Sequence, residues 1–406
     1  VNQRINPESP LLLFALLAGS SLTVMSGAAV SPAMPAITAA FADEPMADFL
    51  TRLVLTMPAL FIALCAPLGG LLVDRVGRKP VIVVALTLYG LSGTVGLYTD
   101  SLTVLLASRA LLGVAVGGLM TACTTLIGDC YQGVRRSQVL GLQASSAAIG
   151  GVVFLLGGGL LTELSWRGPF TLYLAAFVLL PITLIALRQA PVYTPAQRAE
   201  AAARGDQQRP AMASLIGLYA CMLLGMGLFY VVPLQLPYRL HELGYMSGAL
   251  AGAALSVNTV CAAILSFSYR QLYLRFPEWQ LLAASFFAIA GGLGLIGAAE
   301  GLPLILTGLS FVGAALGLLI PTVNQWLLRI APLSMRGRII SGSTAGLFLG
   351  QFLSPFLSQP LVGLTGLAGA FLAFSALALV VAVLVTVLAR RGRPHDPRTD
   401  ATRGAS

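Results

Sequence analysis

The side chains able to do chemistry in this sequence are few, and their placement is informative. All 15 Asp and Glu residues fall in segments that read as loops, tails or helix ends, and none sits in the middle of an apolar stretch. The two histidines, His241 and His395, stand far apart in the chain. Cys65, Cys123, Cys130, Cys221 and Cys261 show no paired spacing, so neither a disulfide framework nor a zinc site is expected. A catalytic centre needs a gathered nucleophile, metal ligands or an acid/base pair. The sequence therefore predicts no catalytic residue, no metal and no cofactor.

The charges inside apolar stretches are basic. Arg109 lies about a third of the way into one stretch and Arg52 near the end of another. An unpaired arginine in hydrocarbon is costly, so Arg109 is expected to face a polar cavity, where it either pairs with backbone carbonyls or meets a ligand. Arg52 reads as an interfacial anchor beside Asp48. Tyr230, Gln235, Asn258 and Gln351 could add an uncharged polar ring, although a lone buried amide is more often a bond between helices. Arg109, Arg52, Tyr230, Asn258 and Gln351 are the substrate-binding candidates. One arginine and several amides without a carboxylate would favour a neutral or anionic ligand.

These residues need a scaffold, and composition names its solvent. The 406 residues are 57% hydrophobic and 10% charged, with a mean hydropathy of +0.87; soluble domains average roughly 25% charged. Apolar stretches long enough to cross a hydrocarbon core of ~30 Å fall near 11–36, 48–72, 80–98, 102–127, 138–162 and 168–188. A second six follow near 212–234, 247–268, 279–298, 301–327, 339–359 and 364–389. The expectation is an all-α membrane protein of twelve transmembrane helices in two pseudo-symmetric six-helix bundles. A cytoplasmic N-terminus puts 20 of the 24 basic residues on the cytoplasmic side, the exceptions being Arg52, Arg109, Arg167 and Arg239. Both termini are thus expected in the cytoplasm, in the cell inner membrane. The first apolar stretch runs on into the second, so no cleavable signal is expected. The net charge of +9 follows from this topology and needs no nucleic acid.

Residues 191–210 mix proline, charge and glutamine and read as a cytoplasmic linker, with a short helix at Ala196–Arg204. It separates an N-terminal bundle, 1–190, from a C-terminal bundle, 211–390, with a tail at 391–406. The halves echo one another: Arg135 precedes Gly141 by six residues, and Arg336 precedes Gly342 by six. Parallel repeats around a central cavity let one half rock against the other. Dense glycines in the fifth span, Gly150, Gly151 and Gly157 to Gly159, suit an interface of close helix contact.

The strongest local signal joins spans two and three, Gly69-Gly70-Leu-Leu-Val-Asp74-Arg75-Val-Gly77-Arg78-Lys79-Pro80. Gly77 permits the tight turn and Asp74 can accept charge-assisted hydrogen bonds. This run resembles the loop signature of the major facilitator superfamily, and the six-plus-six pattern extends the resemblance over the chain. Arg109 to Gly118 is similar to the arginine–glycine motif of the drug/proton antiporter branch. Asp129 before Arg135-Arg136 matches a family pattern in which the aspartate pairs with the loop arginine, here Arg78, in a gate closed in the outward-facing state. Gly141, Gly150 and Gly158-Gly159 resemble that branch's glycine motif, except that its central Gly-Pro is Phe154-Leu155 here. Loop 269–276 is at most a degenerate copy of the first-half signature, which implies unequal gates.

The resemblance implies a carrier working by alternating access, with Gly70, Asp74, Arg75, Gly77, Arg78, Asp129, Gly150 and Gly158 in gating and coupling. The leading expectation is export of a small amphiphilic drug or siderophore-like metabolite, in exchange for protons. The alternative is an uptake symporter or facilitator of a small organic anion; a lipid scramblase or a receptor fits the loop signature less well. The expected partners are a small-molecule substrate, protons and the bilayer, and the expected unit is a monomer. Arg109→Ala is expected to abolish transport and leave the protein folded.

Overall fold

The computed structural model describes residues 9–131, 133–187, 212–332 and 335–391. The linker expected at 191–210 and the tail beyond 391 lie outside them. In order, the helices are α1 (Pro10–Ala28), α2 (Met34–Ala40), α3 (Ala47–Val76), α4 (Arg78–Gly93), α5 (Leu102–Cys130), α6 (Gly133–Thr162) and α7 (Ala175–Ala186). After the linker come α8 (Met212–Glu242), α9 (Gly248–Arg275), α10 (Glu278–Gly297), α11 (Leu302–Ile330) and α12 (Arg336–Arg391). Short 3-10 turns bend the chain at Ser31–Ala33, Thr94–Leu97 and Gly168–Leu174. Helix is the one open-ended solution in lipid, because it satisfies every backbone group within the segment.

Among the described residues, eleven continuous helical stretches are long and apolar enough to span a membrane. The last, α12, has 56 residues, which at 1.5 Å per residue is about 80 Å, far beyond one ~30 Å crossing. Gly366, at φ +72°, breaks it, since only glycine takes that left-handed conformation without a steric penalty. Two crossings result, and the twelve spans expected from sequence are recovered. The N-terminal crossing is α1 and α2 in series, bent where Pro32 and Pro35 withhold their N–H groups.

Among the described residues two large hydrophobic cores form, beside a small third cluster at Tyr269, Leu281 and Leu318. One gathers Leu12, Ile82, Leu119 and Phe170 from α1–α7 and their 3-10 turns, and the other Met222, Phe286, Leu319 and Phe371 from α8–α12. Each core takes one residue from the opposite half: Leu234 of α8, fully buried, belongs to the first, and Leu155 of α6 to the second. The halves touch chiefly through α6 against α9 and α3 against α12. The helix ends at 77, 131, 276–277 and 331–332 define one end of the bundle, the near face; the loops around 41–46, 98–101, 163–167 and 243–247 define the far face.

Alternate glycines of α6 serve different neighbours. Gly150 and Gly158 turn inward to α1: a Cβ would stand 2.7 Å from Ser21 Cβ at the first and 2.1 Å from the Ala29 carbonyl at the second. Gly159 faces the other half, where a Cβ would meet the Gly248 carbonyl at 2.5 Å, and Gly252 of α9 answers with 2.3 Å to the Leu155 carbonyl. Gly150 and Gly158, expected to act in gating, therefore pack within their own half, and the contact between halves falls to their neighbours. Overpacking costs about 1–3 kcal/mol. Gly158→Ala should accordingly lower the melting temperature, whereas Gly252→Ala should chiefly loosen the far-face contact of the halves. Melting curves set beside far-face cysteine labelling will tell the two effects apart.

Candidate functional site

At the far face the halves are tied by a chain of polar bonds. Arg52 of α3 is 4% exposed. Its Nη1 donates to the Asp48 carbonyl at 2.6 Å and lies 3.5 Å from the Asp48 carboxylate, while its Nε donates to Gln235 Oε1 at 3.2 Å. Gln235 Nε2 then donates to Ser358 Oγ of α12 at 3.0 Å. The guanidinium also sits 4.2 Å above the Tyr238 ring, a favourable place for a cation on an aromatic face. Arg52 is thus more than an anchor beside Asp48, because it crosses to the second half.

Three further ties join the halves there. The Tyr238 hydroxyl is 2.6 Å from Thr38 Oγ1 and donates to the Met34 carbonyl at 3.2 Å. Pro237 has no N–H, so the Pro233 carbonyl one turn earlier lacks its helical partner; the Ser31 hydroxyl donates to it. Glu163, just beyond α6, accepts from Ser247 Oγ at 2.7 Å and from the Ala249 N–H at 3.0 Å, at the N-terminus of α9. Those bonds hold the Glu163 carboxyl below its ordinary pKa, the backbone donor contributing most. A cavity of about 520 Å³, lined by Thr38, Glu44, Asp48 and Tyr238 among others, opens outside the seal.

Arg109 takes the carbonyl-pairing alternative, inside the first half and not on a cavity wall. It is fully buried inside the first half, and its Nη2 donates to the carbonyls of Ser92 and Gly93, at 3.0 and 2.8 Å, where α4 ends. Phe170 and Tyr173 flank the guanidinium, each ring centroid 5.1 Å away. The physical reason is the four carbonyls that a helix end leaves unpaired, together with its negative dipole. A cation inside the bundle is better placed there than on a cavity wall. Two other arginines that break the charge bias do the same work at the far face. Arg167 donates to the Leu97 carbonyl at 3.0 Å and Arg239 to the Ala299 carbonyl at 2.8 Å, where α10 ends.

The remaining candidates are scattered. Asn258 is buried against α11, its carbonyl 2.1 Å from where a Gly313 Cβ would stand. Tyr230 lies over Gly27 of α1, its hydroxyl 2.6 Å from a Cβ placed there. Gln351 is half-buried on α12, on the helix face that carries Ser354 and Ser358. The structure thus joins Arg52 to Gln235 and leaves Arg109, Asn258 and Gln351 apart.

A second polar cluster lies in the first half. Ser21 Oγ donates to the Ser146 carbonyl at 2.9 Å, Ser146 Oγ to the Leu17 carbonyl at 3.1 Å, and Gln143 Nε2 to Ser20 Oγ at 2.8 Å. In the second half Tyr219 donates to the Ile339 carbonyl at 2.9 Å and Ser343 to Asn324 Oδ1 at 2.9 Å. Sequence reasoning passed over the serines, although Ser20-Ser21 and Ser145-Ser146 inside apolar stretches were a usable signal.

At the near face Gly77, at φ +95°, makes the turn into α4, and Arg78 Nε stands 2.7 Å from Asp129 Oδ2. The side chains of Gly70, Asp74 and Arg75 are outside the described residues. Both partners of the Arg78–Asp129 pair belong to the first half, and the pair is formed while the far face is sealed. It therefore cannot close the near face by itself.

The sequence model of the Major Facilitator Superfamily matches residues 16–295 and 215–405. Among curated proteins, the chain is 32% identical over 177 residues to the puromycin resistance protein pur8 of Streptomyces alboniger, 43% of this chain and 33% of that one. It is 29% identical over 164 residues to the efflux pump dotC of Dothistroma septosporum (strain NZE10 / CBS 128990), 39% of this chain and 27% of the pump. The matched stretches thus span a third or less of these relatives. The fold is similar to the crystal structure of a D-xylose-proton symporter, with TM-score 0.75 at 17% identity over 92% of this chain and 96% of that one.

Removing Arg109 leaves buried carbonyls unmet, each hydrogen bond to a charged group contributing about 1.5–3 kcal/mol. Arg109→Ala should therefore lower the melting temperature and yield of folded protein, with Arg109→Lys intermediate, the reverse of the outcome expected from sequence. Gln235→Leu removes a hydrogen bond to a charged group, about 1.5–3 kcal/mol, from the seal, so a cysteine replacing buried Leu234, with the native cysteines removed, should label at least about tenfold faster. For Glu163 the bound carboxylate has the depressed pKa, so its contribution is complete above the ordinary value of 4.5 and lost as pH falls through the lower one. Leu234→Cys labelling should accordingly hold steady from neutral pH to about 4.5 and rise only below that.

Proposed function

The chain belongs to the major facilitator superfamily of transporters, and from that premise we propose that it is a secondary active exporter of a small amphiphilic drug or siderophore-like metabolite. It works by alternating access, with protons as the counter-substrate. The observation that carries this reading is the far-face seal. The halves are joined there by neutral or singly charged hydrogen bonds, Arg52–Gln235–Ser358, Thr38–Tyr238 and Glu163–Ser247, the neutral ones contributing about 1 kcal/mol and those to a charged group about 1.5–3 kcal/mol. Such bonds can be broken in turn, and the core of each half survives their loss.

The direction of transport rests on relatives whose names describe puromycin resistance and efflux. The positive-inside bias makes the near face cytoplasmic, which puts the linker there, in a cell inner membrane, with the monomer as the working unit. Substrate would meet the Ser21–Ser146 and Gln143–Ser20 cluster, a lining of hydroxyls and one amide suited to an uncharged polar group.

A second reading, uptake or facilitated passage of a small organic anion, is favoured by one feature. Arg52, buried now, would face the far vestibule when the seal opens. Everted vesicles separate the two. Export predicts that an added amphiphile such as puromycin collapses an imposed pH gradient and accumulates in the vesicles. Uptake without proton movement under any load would overturn the antiport reading, and labelling of the linker from outside the cell would overturn the orientation.

A further inference from the structure

On the near side the cleft between α6 and α9 is open. At the far side these helices meet backbone to backbone, at Gly159 on α6 and Gly252 on α9. Gly141 precedes Gly159 by 18 residues, and Arg270 follows Gly252 by 18. That interval is five whole turns of an α-helix, about 27 Å, so each residue lies on the side of its helix that faces the other half. Neither is covered: a Cβ at Gly141 would have nothing within 4 Å, and Arg270 is exposed. The two helices touch at one end and stand apart at the other, with Gly141 on one wall of the gap and Arg270 on the opposite one.

The described part of the protein supplies no counter-charge there. Arg270 and Arg275, the last residue of α9, are both exposed and make no ion pair or side-chain hydrogen bond among the described residues. The carboxylates described at the near face, Asp129 and Glu278, are 16% and 3% exposed and stand beside Arg78 and Arg329. Arg270 lies five residues short of the helix end, about 7.5 Å along the axis. An arginine at that depth is costly unless its long side chain reaches an anion or the headgroup layer. Its neighbours on the exposed face are apolar. Leu274, one turn nearer the helix end, is 73% exposed, and Phe267 and Ile264, nearer the membrane centre, are 74% and 60% exposed. A phospholipid complements that order of groups, phosphate against guanidinium and acyl chain against Phe267 and Ile264.

We propose that this side of α9 binds an anionic phospholipid, its phosphate on Arg270 with Arg275 as a second cation, and that the bound lipid holds the near cleft open. Closing the near face brings α6 over Arg270 and expels the headgroup. A ligand shifts an equilibrium toward the state that binds it better, so the lipid favours the arrangement in which the far face is sealed. A zwitterionic lipid carries an ammonium beside its phosphate and is held less strongly by two arginines than a headgroup of net negative charge. The inference rests on alternating access but not on the direction, substrate or coupling ion.

The test places the full chain, carrying Leu234→Cys and no native cysteine, in nanodiscs of phosphatidylcholine alone or with one-third phosphatidylglycerol. Phosphatidylglycerol should slow far-face labelling about fivefold, the attraction of roughly one arginine to an anionic surface, and should raise the melting temperature. In R270Q/R275Q both effects should fall by more than half, and R270K/R275K should restore them in part. R390Q, which removes another exposed near-face arginine, should leave both as in the parent. Native mass spectrometry of protein taken from the mixed lipid should find one retained phosphatidylglycerol fewer on R270Q/R275Q. If the double variant fails to fold, R270Q alone supplies the comparison. Equal labelling in the two lipids, a lipid effect that persists without the α9 arginines, or one lost to the same extent in R390Q would overturn the proposal. Failure to find an exported compound would leave these readouts untouched and bear on the functional reading alone.

Discussion

Hydrocarbon offers no partner to a polar group, and that constraint organises the molecule. Every helix end within or near the membrane leaves carbonyls to be met, and water is scarce there. The three arginines that cap far-face or interior helix ends, Arg109, Arg167 and Arg239, answer it directly. Their standing as exceptions to the expected charge bias is thereby accounted for. A cation placed against a helix C-terminus is stabilised by the dipole as well as by the hydrogen bonds, and lysine, with one compact ammonium, would serve two carbonyls less well. The sequence holds one lysine among its 24 basic residues, in keeping with that need.

The same constraint explains what was legible in advance. Crossing segments are long apolar runs, so all twelve could be read, and α12 was divided at 360–363, a few residues before its break at Gly366. The Arg78–Asp129 contact was accessible through resemblance alone, since the two residues lie on different helices. For Arg109 the sequence left carbonyl pairing and ligand contact both open, because it shows how deep a residue lies along a helix and not which way it faces. Its true partners, the Ser92 and Gly93 carbonyls, leave no trace in residue type. Glycine carried a similar ambiguity: Gly158 and Gly159 are neighbours in sequence and serve different halves. The Glu163 contact with α9 spans 84 residues and has no local signature at all.

Contacts within a half and contacts between halves differ in kind. Inside each half, cores of leucine, isoleucine and phenylalanine interlock, and glycines bring backbones together at distances a side chain would forbid. Across the far face the hydrogen bonds are made by hydroxyls, an amide, a carboxylate and one guanidinium. A buried apolar interlock is lost only by creating a void, whereas a hydroxyl or amide exposed by opening can turn to water or ligand. Polar ties are therefore suited to a surface that must part and rejoin.

Small residues complete that division. Gly159 and Gly252 let α6 and α9 meet backbone to backbone, a contact with few side chains to interdigitate. Two helices so joined can pivot with little repacking, in the way that a ridge-and-groove interface cannot. The crossing of α6 and α9 lies beside the polar seal, where Leu155 and Leu234 are each buried in the opposite core. Two leucine side chains, each contributing about 1.5–3 kcal/mol when fully buried, together with a few hydrogen bonds of about 1–3 kcal/mol each, set the scale of what parting the far face would lose. The cores of the two halves lie well beyond it.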